Sequence, residues 1–127
     1  MTEFNNANII SNYKAGADLS ADSNLYKAVK FDDSSGDIIA AVAGDKAVGF
    51  LFNLPDDGET AEIATIGGGA LAIAAASISA GDLLKSDANG KMVVASNNND
   101  MVIARAMSNA ASGDIFSVQP CLFSLGV

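Results

Sequence analysis

From Leu25 onward the chain alternates short apolar runs, rich in Val, Ile and Phe, with breaks of Gly, Asn, Asp and Ser. The breaks recur about every 8–12 residues, the rhythm of an all-β sandwich or barrel, in which each strand crosses the core briefly before the chain turns. The pattern predicts strands over Tyr26–Phe31, Ile38–Val42, Ala47–Leu54, Thr60–Ile66, Ala70–Ala74, Leu83–Ser86, Lys91–Ala95, Val102–Met107 and Ile115–Gln119, with Leu122–Leu125 as an extra edge strand. Asn89-Gly90 is the sharpest hairpin signal, since a two-residue type I′ turn needs positive φ at both central positions. Pro55, ahead of Asp57-Gly58, should stop the strand ending at Leu54; Pro120 should end a strand or sit on a sheet edge, because proline brings no N–H to a ladder. The alanines of Gly69–Ala80 favour helix by propensity, but Ile73, Ser77, Ile78 and Ser79 argue against it. A strand at the start of this stretch and at most one short helical turn, near Ala74–Ser79, are expected.

The order of turns and apolar runs in the first half returns in the second. Val29-Lys30-Phe31-Asp32 answers Leu84-Lys85-Ser86-Asp87, 55 positions on (84 − 29), and Gly36-Asp37-Ile38-Ile39 answers Gly90-Lys91-Met92-Val93 after a one-residue deletion. Asp45-Lys46-Ala47-Val48-Gly49 then faces Asp100-Met101-Val102-Ile103-Ala104, and Gly58-Glu59-Thr60-Ala61-Glu62-Ile63 faces Gly113-Asp114-Ile115-Phe116-Ser117-Val118, again 55 apart. Two copies are too few for a solenoid, so the expectation is one folded unit made of two similar β-motifs, residues 29–63 and 84–118, joined near Gly67–Gly69.

Residues 1–20 differ from the rest. Asn5, Asn6, Asn8 and Asn12 are interspersed with the apolar residues Phe4, Ile9, Ile10 and Tyr13. Such a segment lacks the periodicity to build a core of its own, yet is too apolar to be a solvating tail. It reads as an extended N-terminal arm that orders on a partner or neighbouring subunit, or frays at the terminus. The β domain then spans residues 21–127.

Composition narrows the function. A chain of 127 residues is one domain by size, and it can bury roughly two-thirds of its unfolded surface without metal or disulfide. Fifteen acidic against seven basic residues give a net charge of −8, which opposes phosphate binding, so no nucleic-acid partner is expected. Asp37, Asp45, Glu59, Asp82 and Asp114 each follow a glycine and read as solvated turn carboxylates. With no histidine and one cysteine, Ser-His-Asp and Cys-His catalysis and His- or Cys-rich zinc sites are excluded. Cys121, in the run Pro120-Cys121-Leu122-Phe123, reads as a buried, inert thiol.

Gly67-Gly68-Gly69-Ala70-Leu71-Ala72 fits a G-x-G-x-x-A turn, but Gly81-Asp82 and an Asn-Gly hairpin follow where a dinucleotide fold needs a second parallel strand. Asp32-Asp33-Ser34-Ser35-Gly36-Asp37 lacks the ligand spacing and final Glu of an EF-hand. The absence of Trp and the presence of only two Tyr make a poor sugar platform. Met1–Asn6 does not read as a secretory leader, and no uninterrupted apolar stretch reaches membrane-spanning length. The expectation is a soluble, non-enzymatic protein assembled in a cytoplasm, with no cofactor, no membrane partner and no small-molecule substrate.

Four runs carry a resemblance: Tyr26-Lys27-Ala28-Val29-Lys30-Phe31; Gly44-Asp45-Lys46-Ala47-Val48-Gly49-Phe50-Leu51; Gly81-Asp82-Leu83-Leu84-Lys85-Ser86-Asp87-Ala88-Asn89-Gly90-Lys91; and Ala110-Ala111-Ser112-Gly113-Asp114-Ile115-Phe116-Ser117-Val118. Together they resemble the small head-decoration, or capsid-cement, proteins of tailed phages over residues 15–120. Residues 69–80 and the tail Leu122–Val127 depart from that pattern. The resemblance implies a compact β-barrel or β-tulip-like domain, trimeric on the outer surface of the head, that locks neighbouring major capsid protein subunits against the pressure of packaged DNA. The contact candidates are the arm residues Phe4, Ile9, Ile10 and Tyr13 and the C-terminal Leu122, Phe123 and Leu125. An adhesive or carbohydrate-binding β-module is the competing expectation, because the same strand pattern would serve it.

Overall fold

The computed structural model describes residues 8–126. Ten strands form: β1 (Ile9–Lys14), β2 (Ala28–Phe31), β3 (Ile38–Ala40), β4 (Gly49–Leu51), β5 (Thr60–Ala64), β6 (Ala70–Ile73), β7 (Leu83–Ser86), β8 (Met92–Val94), β9 (Met101–Ala106) and β10 (Ile115–Ser124). The only helix among the described residues is a single 3-10 turn at Asp22–Asn24. The expected mainly-β domain takes the form of two five-stranded sheets, ordered β1-β5-β4-β2-β3 and β6-β10-β9-β7-β8, with every ladder antiparallel.

The second order is the first with each strand number raised by five, and the register repeats as well. Ala28↔Phe50 and Val29↔Gly49 between β2 and β4 return as Leu83↔Arg105 and Leu84↔Ala104 between β7 and β9. Leu51↔Ile63 returns as Ala106↔Val118, again 55 residues on. Val29↔Ala40 returns as Leu84↔Val94, where the second partner is displaced by 54 because of the deletion. Positive φ recurs at Tyr26 and Gly81, Gly36 and Gly90, Gly44 and Asn99, and Gly58 and Gly113. Tyr26, expected inside a strand, thus holds the turn geometry that Gly81 holds in the second half, and β2 begins two residues later.

In each half the outer edges of the sheet meet. Ala15 and Ile38 form a parallel bridge, with the Gly16 N–H donating to the Ile38 carbonyl at 2.7 Å, and Ala74 and Met92 do the same, with Ala75 donating to Met92 at 2.8 Å. Each sheet therefore curls until its edges touch, as small barrels do. Alternation supplies the interior: along Ile115–Pro120, Phe116, Val118 and Pro120 are buried while Ile115, Ser117 and Gln119 are exposed.

The first half encloses Ala15, Leu19, Val29, Ile38, Leu51, Ala61 and Ile63, with Ile10, Ala40 and Val48 packed against them. The larger core holds the second half's Leu84, Met92, Ile103, Phe116 and Val118 together with Ala28, Phe50 and Ala64 of the first. β4 is buried along its whole length because Leu51 points into its own half while Phe50 joins the core of the other. A fully buried Phe is worth about 1.5–3 kcal/mol of transfer free energy, so Phe50 is a principal tie between the halves.

One expectation is corrected here. Ile9–Lys14, read as part of an extended arm, is a strand paired to β5, with Ile10 packed on the core; the sequence hides the strand because a register shift between Ile10 and Tyr13 breaks the alternation. The stretch Gly69–Ala80 opens on a strand, as expected, and no helical turn follows near Ala74–Ser79, since the Ala74, Ala75 and Ile78 amides are taken by Asp114, Met92 and Ala110 carbonyls. Pro120 takes the edge alternative: β10 continues past it to Ser124, and it lies beyond the last β6 pair, Val118↔Ala70, where no ladder bond is lost on that side.

Candidate interaction surface

The contact candidates fall on two sheets. Phe4 lies outside the described residues. Ile9 is half-exposed opposite Ala64, while Ile10 is turned toward the first-half core. Tyr13 is also half-exposed and meets Phe31 edge to face, with ring centroids 4.9 Å apart. At the other terminus, Leu122 and Phe123 are 44% and 43% exposed on the final stretch of β10. Leu125 is tied down: its N–H donates to the Asp100 carbonyl at 2.7 Å and its carbonyl accepts from the Asn99 N–H at 2.9 Å. The structure therefore brings Tyr13 onto Phe31 and leaves the N- and C-terminal candidates on different sheets.

Sequence reasoning passed over Arg105. It is exposed and lines a shallow depression with Ala80, Gly81, Met107 and Gln119. Cys121 is half-buried, and burial pushes its thiol up despite the opposing field of Arg105. A second depression is lined by Lys30, Phe31, Asp33, Asp45 and Lys46. The signal for Arg105 was present in the repeat, because the register places it where the first half has the buried Phe50.

Local electrostatics hold the turns. Lys30 Nζ lies 2.8 Å from Asp45 Oδ2, and the Val42 N–H donates to the same oxygen at 2.7 Å. Burial works against the Asp45 carboxylate, but these two donors outweigh it and hold its pKa below the ordinary value of 3.8. In the second half, Lys85 Nζ lies 3.1 Å from Asp100 Oδ2, which also accepts from the Asn97 N–H at 3.0 Å. The Asn97 amide is the main reason that Asp100 too lies below 3.8. The Asp32 carboxylate accepts from the backbone and hydroxyl of Ser34, each at 2.8 Å, an Asx turn formed within the loop itself. Gly67–Gly69 leads directly into strand β6 rather than a helix. Among the described residues no group of three His, Cys, Asp or Glu side chains could hold a metal, and no helix is long and apolar enough to cross a membrane.

These features define a β protein of two like five-stranded halves whose distinctive chemistry lies on its outer faces. No family model matches the chain, and no curated protein matches it. Among solved structures it is similar to the N base of head fiber gp8.5 in bacteriophage phi29, with a TM-score of 0.66 and 18% identity over 94% of this chain and 97% of that one. The likeness establishes a shared fold.

Proposed function

We propose that this chain is a structural protein of a phage virion, carried on the outside of the head, where it decorates the shell and braces neighbouring major capsid protein subunits as a homotrimer. The observation that carries this reading is the end-to-end likeness to a head-fiber base, which leaves almost none of either chain unmatched. Surface chemistry supports it: half-exposed apolar side chains at both ends of the described chain offer contact area, and a net charge of −8 keeps a densely displayed protein soluble. Three contacts held by one trimer also act at high effective concentration, so weak single sites retain it on a repeating shell. In this reading the protein catalyses nothing and needs no cofactor.

The test is addition of purified protein to heads that lack it, followed by counting copies retained per particle and measuring the temperature at which DNA is released. Saturable binding with a higher release temperature is expected. Absence of binding to intact heads, or glycan binding by the free chain with no head binding, would replace the reading with that of an adhesive module.

A further inference from the structure

Across β2, β4 and β5, Ala28, Phe50 and Ala64 stand side by side, and they are buried in one core with residues of the second half. The counterpart row across β7, β9 and β10 is Leu83, Arg105 and Gln119. There the face is open, with Arg105 and Gln119 exposed. On the receiving side, the second half presents its β7–β8 turn: the Gly90 carbonyl accepts the Ala28 N–H at 2.9 Å, and a Cβ at Gly90 would stand 3.2 Å from the Ala28 oxygen. The matching turn of the first half, Asp32–Asp37 around Gly36, is exposed beside Tyr13 and Phe31. One molecule thus contains a completed face-to-turn contact and one unused copy of each side.

We propose that copies of this chain join head to tail, with the Arg105 face of one seated on the Tyr13–Phe31 and Asp32–Asp37 end of the next, in the arrangement by which the two halves already seat on each other. The occupant is a second copy because charge and shape both match. The Arg105 guanidinium meets an end carrying Asp32, Asp33 and Asp37 beside Lys14 and Lys46, with Lys30 already engaged by Asp45, and the Tyr13–Phe31 pair offers aromatic surface to a guanidinium. Size is exchanged across the contact. Within the chain, bulky Phe50 shares its core with small Ala72; between copies, bulky Tyr13, which occupies the Ala72 position, would meet the depression left where Gly81 replaces Tyr26. Such a contact is heterologous and closes a ring only if its rotation allows; in the trimer proposed above it would make a ring of six like units.

This inference rests on the self-association in the function proposed above. The experiment is sedimentation equilibrium of the full chain, of Arg105→Glu, of Asp33→Arg and of the double variant, each checked by circular dichroism. Each single reversal sets like charges against each other and should weaken association at least about tenfold, and the double variant should restore it. A wild-type chain that stays monomeric at every concentration overturns both the self-association and the inference. A wild-type oligomer that the single reversals leave intact, or that the double variant fails to restore, overturns this pairing of faces alone.

Discussion

Lys30 on β2 and Asp45 in the turn between β3 and β4 lie 2.8 Å apart, and 55 residues on Lys85 and Asp100 repeat the pair at 3.1 Å. In each pair the carboxylate also caps a turn, accepting the amide of the residue three before it, Val42 or Asn97. The aspartates therefore organise their turns and partner a half-buried lysine at once.

Asp45→Asn should lower stability by about 1 kcal/mol, in line with a lost charge-assisted hydrogen bond, and Lys30→Met should cost less. The folded pKa of Asp45 lies below its ordinary 3.8. Its contribution is thus complete above that value and vanishes as pH falls through the lower folded pKa. Urea melts of both variants between pH 2 and 7 should converge with wild type only at the acid end.

Phe50→Ala should cost about 3–5 kcal/mol, since it empties a fully packed position between the halves. At the matching exposed position, Arg105→Ala should change monomer stability by less than about 0.5 kcal/mol. Equal losses in thermal melts would mean that the two rows do not differ in burial.

Gly49→Ala should be poorly tolerated. A Cβ there would overlap the Ala64 carbonyl and Ile63 Cγ2, and overpacking of this kind costs about 1–3 kcal/mol. The counterpart Ala104 already carries that methyl group in the second half, so Ala104→Gly should cost only about 0.5–1 kcal/mol.

Truncation separates fold from grip. Removing residues 1–14 should destabilise the domain, because β1 covers the edge of β5 and brings Ile10 to the core. Proteolysis kinetics and melting temperature should both register it. Leu122→Ser with Phe123→Ser should leave the melting temperature within a few degrees, since both side chains are largely exposed, while reducing copies retained per head.

Strand alternation, turn glycines and the 55-residue spacing were legible in the chain itself, because each depends on local backbone geometry. Phe116 and Val118 with exposed neighbours announce β10 wherever it packs, and the Gly36 and Gly90 turns need positive φ in any context. The tertiary structure decided what covers each outer face. Gly49-Phe50-Leu51 reads as a uniform apolar run, and only the second half lying against it separates Phe50 from Leu51. Ile9–Lys14, with no apolar–polar alternation to mark it, becomes a strand only because β5 supplies an edge for it. Arg105 and Phe50 hold equivalent places in register, yet one meets solvent and the other a core, since burial of an outer face is set by neighbours distant in sequence.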